Sequence, residues 1–138
     1  MTRKIASAAL LLAALPLAAC AQQDRGLENG VDEDAPAVRV VGAPESCVSL
    51  ASIRSSTVHS DYTIDFEGAG GKLYRNTLPN RCPGLGFEKA VSYSTSLTRL
   101  CSTDIIRVID TGAGGGTRAA CGLGEFVPVE EIEETPAT

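Results

Sequence analysis

The chain offers few side chains that could do chemistry: five cysteines, one histidine, and carboxylates scattered among glycine-rich loops. Four cysteines, Cys47, Cys82, Cys101 and Cys121, lie in the C-terminal two thirds, and no two have the two-residue spacing of a zinc knuckle or a dithiol redox motif. An even number of well-separated cysteines reads as two disulfides, with three connectivities open. His59 sits beside Ser60 and Asp61 and reads as a solvated loop histidine, since a serine triad would also need a nucleophile elbow, which is missing. Gly70-Gly71-Lys72 is followed by Leu73 where a phosphate loop needs Ser or Thr, and residues 112–116 lead into a strand-like stretch rather than a helix, so both read as hairpin turns. A carboxylate pair such as Asp65 and Asp104 would leave no spacing signature. No catalytic residue, cofactor or metal site is expected. The most suggestive surface is the loop over residues 76–85, where Arg75, Asn76 and Arg81 stand beside a frame of prolines and Cys82; these three are the candidate binding residues.

The fifth cysteine, Cys20, closes Leu17-Ala18-Ala19-Cys20, at the end of a basic Met1-Thr2-Arg3-Lys4 start and an apolar run that Pro16 interrupts. The run is too short to span a bilayer core of about 30 Å. The segment resembles bacterial lipoprotein precursors. That resemblance implies removal of residues 1–19 and lipidation of Cys20, whose several acyl chains give stable anchoring where one would not. With Ala21 rather than Asp after that cysteine, the same resemblance implies the outer membrane, with the domain facing the periplasm.

Charge divides the remainder. Residues 20–46 carry six acidic and two basic side chains, residues 128–138 four acidic and none basic, and residues 47–127 seven acidic and eight basic. The acidity belongs to the ends, and the middle shows no field that would favour nucleic acid. Residues 20–46 are polar and read as a flexible tether of roughly 25–30 Å root-mean-square span. The one β-like stretch there, Val38-Arg39-Val40-Val41, could add a strand to a sheet edge, but the composition favours a leash. Residues 130–138 read as a solvated acidic tail.

The elements that must position the cysteines lie in residues 47–129. Residues 47–53 space apolar side chains by three, as in a helical turn. Tyr62, Ile64 and Phe66 alternate with polar residues, Gly68-Ala69-Gly70-Gly71 turns the chain, and residues 72–78 run back with Tyr74 and Leu78 on one face. Residues 89–95 alternate, residues 105–110 are β-branched, and residues 118–129 form a last strand interrupted by Gly122 and Gly124. The expected fold is mainly β: a small antiparallel sheet curled into a barrel or sandwich, with a short N-terminal helical turn and two disulfides. Such a domain, with no Trp and only six Phe and Tyr, needs its staples. Closure of the sheet would bring the last strand beside residues 72–78, which end before Cys82, so Cys82–Cys121 with Cys47–Cys101 is the preferred pairing among the three.

The stretches Arg75-Asn76-Thr77-Leu78-Pro79-Asn80-Arg81-Cys82-Pro83-Gly84-Leu85, Leu100-Cys101-Ser102-Thr103-Asp104 and Cys121-Gly122-Leu123-Gly124-Glu125-Phe126 resemble an uncharacterised family of small exported proteobacterial proteins and lipoproteins. The likeness covers residues 47–129 and implies a disulfide-stapled envelope domain, with no activity to carry over. The expectation is a monomeric, non-catalytic envelope lipoprotein whose partners are the membrane, through its anchor, and an envelope protein. The alternative is a small envelope hydrolase or an inhibitor of an envelope-active enzyme.

Overall fold

A computed structural model describes residues 32–95 and 97–132. The signal segment, Cys20, the tether up to Val31 and residues 133–138 lie outside the described residues. The elements in order are β1 (Val38–Val40), β2 (Cys47–Ser49), a 3₁₀ turn (Leu50–Ser52), β3 (Ile53–Val58), β4 (Thr63–Gly68), a second 3₁₀ turn (Ala69–Gly71), β5 (Leu73–Thr77), α1 (Leu85–Glu88), β6 (Val91–Tyr93), β7 (Arg99–Cys101), β8 (Ile105–Ile109), β9 (Thr117–Gly122) and β10 (Phe126–Glu131).

All the pairings are antiparallel and build three sheets: five strands in the order β1-β10-β5-β4-β3, three in the order β6-β8-β9, and the two-stranded ladder β2-β7. The arrangement is sandwich-like and no barrel closes. Alternation decides which side chains meet inside. Ile64 and Phe66 of β4 face Val48, Leu100, Ile106 and Val108 within one buried cluster. Phe126 of β10 joins them, its ring 5.5 Å from that of Phe66 in an edge-on contact.

Both disulfides have the expected pairing. Cys47 and Cys101 lie directly opposite across β2 and β7. Cys82, in the loop after β5, is joined to Cys121 on β9, which ties the five-stranded sheet to the three-stranded one. The last strand does lie beside residues 73–77, as sheet closure required, but it is two strands: β9 pairs with β8, the chain crosses at residues 123–125, and β10 pairs with β5. Gly124 makes that crossing possible, because a Cβ there would stand 2.1 Å from the carbonyl oxygen of Thr77. At the β4–β5 turn Gly70 and Gly71 both have φ near +75°, a conformation that favours glycine.

Several expectations change. The expected short helical turn forms at Leu50–Ser52, but strands flank it: Cys47–Ser49 is β2 and Ile53 opens β3. β3 carries no apolar alternation, since as an edge strand it exposes Arg54, Ser55, Ser56 and Thr57. The sheet also takes in residues on either side of the 47–129 core. Val38–Val40 pairs with Val129–Glu131, Arg39 bonds Glu130 at 2.7 Å, and the Ile132 N–H donates to Ala37. The Val38 stretch is thus an edge strand rather than leash.

Candidate functional site

The five-stranded sheet turns one face to the core. Its other face is crossed by a strap, residues 32–37, which leads into the edge strand β1. The β4–β5 register sets Asp65 directly opposite Arg75 on this outer face. Arg75 donates from Nε to Asp65 Oδ1 at 2.9 Å and from Nη2 to Oδ2 at 2.8 Å. Its remaining amino group, Nη1, donates to the carbonyl of Pro36 in the strap at 2.8 Å. His59, one residue past β3, places Nε2 2.8 Å from Asp65 Oδ2. The side chains of His59, Asp65 and Arg75 are only 13%, 4% and 14% exposed. His59 is therefore not a solvated loop residue: the backbone bond from its N–H to the Thr63 carbonyl continues the β3–β4 ladder and aims its ring at Asp65.

The strap is latched at its other end as well. Asp32 accepts a short hydrogen bond from the Ser60 hydroxyl and, on its other oxygen, one from the Asp34 N–H at 3.1 Å. Partial burial pushes the Asp32 carboxyl up. The Ser60 and Thr63 hydroxyls, the Asp34 N–H and the nearby His59 ring more than offset this and hold it below the usual carboxylate range. The Thr63 hydroxyl is close enough to contribute to that lowering, yet its buried oxygen makes no hydrogen bond of good geometry. A cavity of about 710 Å³ lies along the strap, and a shallower groove of about 400 Å³ lies on the same face beside His59, Ser55 and Thr57.

A second polar network braces α1. Glu88 is buried and accepts from the Thr111 hydroxyl at 2.7 Å and the Thr111 N–H at 2.9 Å. Its other oxygen faces Arg118 Nε at 2.6 Å, and Arg118 also reaches Asp110 at 3.2 Å. The Thr111 hydroxyl and backbone bonds, with help from Arg118, hold the Glu88 carboxyl below its ordinary value against burial and the Asp110 charge.

The three candidate binding residues do not form one surface. Arg75 is committed to Asp65 and the strap. Asn76 points to the core face and is fully buried; its amide donates to the Gly124 carbonyl at 2.7 Å and accepts from the Gly124 N–H at 2.9 Å, as a strand backbone would. Arg81 is half exposed and pairs with Asp61 at 3.0 Å. The loop they were meant to present is tied down by buried Leu78, Cys82 and Leu85 and by the bond from the Gly86 N–H to Asp61. Asp104 caps its own turn through the Cys101 N–H at 2.7 Å, away from Asp65.

His59 and Asp65 have the form of a base and its orienting carboxylate. Arg75 binds both oxygens of that carboxylate, and no hydroxyl is hydrogen-bonded to His59 among the described residues. Nor do the described residues gather three or more His, Cys, Asp or Glu side chains that could hold a metal ion. The arrangement can fix the strap against the sheet and line a cavity. The missed Asp65–Arg75 pair was legible: opposite charges equally distant from a glycine hairpin turn fall opposite each other. Comparison with protein-family models, curated proteins and solved structures finds no match.

Proposed function

We propose that this protein is a bacterial envelope lipoprotein, anchored by acylated Cys20 to the outer membrane, whose disulfide-stapled β domain is a non-catalytic module with a binding or accessory role in the periplasm. One observation carries the reading. Of five cysteines, the four in the domain pair among themselves, which leaves the lipobox thiol as the one without a cysteine partner in the chain. Disulfides form and persist in oxidising, extracytoplasmic compartments, in keeping with export. The likeness to small exported proteobacterial proteins belongs to the same proposal. Mass spectrometry of the N-terminus from detergent-solubilised envelopes tests it: the expected product is a diacylglyceryl, N-acylated Cys20, and a Cys20→Ser form should leave the membrane fraction. An unmodified chain beginning at Gln22 would overturn the anchoring.

A further inference from the structure

The register of the outer face orders the cavity beneath the strap. At one end Thr63 lies opposite Thr77. In the middle Arg75 lies opposite Val127, and at the far end Val129 lies opposite Val40. The strap runs in the same sense, with Asp32 and Glu33 at the threonine end, and leads into Val38 and Val40 of β1 at the valine end. The cavity is thus polar at one end and apolar at the other. Its volume of about 710 Å³ falls in the range of small-molecule sites, roughly 300–1,000 Å³.

The polar end is unbalanced. Asp32 and Glu33 have no ion-pair partner among the described residues. Thr63 is 1% exposed, and its hydroxyl is the one buried side-chain oxygen among the described residues with neither a good hydrogen bond nor an ion pair. Arg75, the cation on this wall, spends three of its five N–H groups on Asp65 and Pro36, and the Asp65 carboxylate matches its charge; the His59 ring near Asp32 is held by the same carboxylate. What this end offers in excess is acceptors and negative charge, next to an aliphatic wall. An anionic head would be repelled, and a neutral alcohol would gain only ordinary hydrogen bonds. An ammonium gains charge-assisted ones.

We propose that this cavity binds a primary alkylammonium, with the ammonium held by Asp32, Glu33 and Thr63 and the alkyl chain lying along Val127, Val129 and Val38. A phosphate between chain and ammonium would fall between the Asp65 carboxylate, which already matches the Arg75 charge, and the acidic end at Asp32 and Glu33, so the ligand is a simple amphiphilic amine. The inference goes beyond the envelope reading and does not depend on acylation.

Titration of the isotope-labelled full-length chain, carrying Cys20→Ser so that no acyl group of its own competes, tests it by NMR. The probes are n-octylamine, 1-octanol, octanoate and spermidine. Octylammonium should shift the amides of Thr63, Thr77, Val127 and Val129 and bind about tenfold more tightly than octanol, with octanoate weakest. Asp32→Asn should cost octylammonium about tenfold and leave octanol unchanged, which also shows that the cavity survives. If Asp32→Asn loses octanol too, Glu33→Gln replaces it, because Glu33 is exposed and makes no contact that holds the strap; it should weaken octylammonium severalfold. Equal affinity for the three octyl heads would overturn the proposal. So would spermidine matching octylamine, or shifts that map away from the strap.

Discussion

Removing the positive charge of Arg75 should be among the most damaging single changes to the domain, and removing its partner as well should restore most of the loss. Arg75→Met keeps the aliphatic stem but deletes two charged hydrogen bonds to a carboxylate that is 4% exposed. His59 would still hold one oxygen of Asp65, and the other would be left without its donor. Breaking a buried pair from one side costs about 3–5 kcal/mol. The lost bond to the Pro36 carbonyl adds less than about 1 kcal/mol, since that contact is solvent-exposed. Against a total stability of about 5–15 kcal/mol the change is large. In urea, with a slope of roughly 1–3 kcal/mol per molar, the midpoint should fall by about 1–5 M. Asp65→Leu should cost a similar amount, because it strands the guanidinium. The double variant, Arg75→Met with Asp65→Leu, removes both charges together and should lie within about 1.5 kcal/mol of the parent, a coupling of at least about 4 kcal/mol. Urea unfolding followed by circular dichroism measures all four corners of the cycle. If Arg75→Met costs under about 1 kcal/mol, or the two single losses simply add, the pair is not the buried, mutually dependent unit described.

Gly124→Ala should destabilise by more than about 3 kcal/mol, because its Cβ would need the space of the Thr77 carbonyl, whereas Gly114→Ala, with nothing within 4 Å, should change the melting temperature little. Glu88 supplies a pH test. Its carboxyl is held below the ordinary glutamate value, so the stability it contributes is fully present above that ordinary value and is lost as the pH falls through the lower, folded-state value. The difference in stability between the parent and Glu88→Gln should therefore be constant above about pH 5 and shrink on acidification. A difference that grows in acid, or does not change with pH, would contradict the Thr111 contacts as the cause.

What could be read from the sequence, and what could not, follows from how many neighbours each signal needs. Ile64 and Phe66 alternate with polar residues because one face of β4 meets the core, a pattern visible within the strand itself. The glycine turns fixed two hairpins, and their register carried the Cys82–Cys121 argument as far as β5. β3 left no such trace: an edge strand buries little and so needs no alternation. β2 and β7 are three residues each, too short for a period to show, and are held by the Cys47–Cys101 bridge between them. His59 could be placed only once β3 was known to be a strand. Asn76 is the instructive error. It lies between Tyr74 and Leu78 on one alternating face, so the pattern that put those two inward also buries Asn76. Its polarity suggested surface, but the backbone of Gly124 satisfies the amide inside.

The same accounting bears on the strap. A domain with no Trp and three Phe has little apolar core, and it uses polar groups to fix its connections. Asp65 ties β4 to β5 and, through Arg75, to the strap; Glu88 ties α1 to the β8–β9 loop; Asp61 ties the loop after β5; Asn76 holds the crossing between sheets. In each case the buried groups meet partners of matching charge or hydrogen-bonding capacity, as the cost of leaving them unmatched demands. The polar end of the strap cavity departs from that rule. Asp32 and Glu33 form no ion pair among the described residues, the nearby His59 ring being bonded to Asp65, and Thr63 keeps a buried hydroxyl without a hydrogen bond of good geometry. A network that elsewhere matches its buried groups, and here leaves acceptors beside an apolar wall, has the form of a site completed by something from outside the chain.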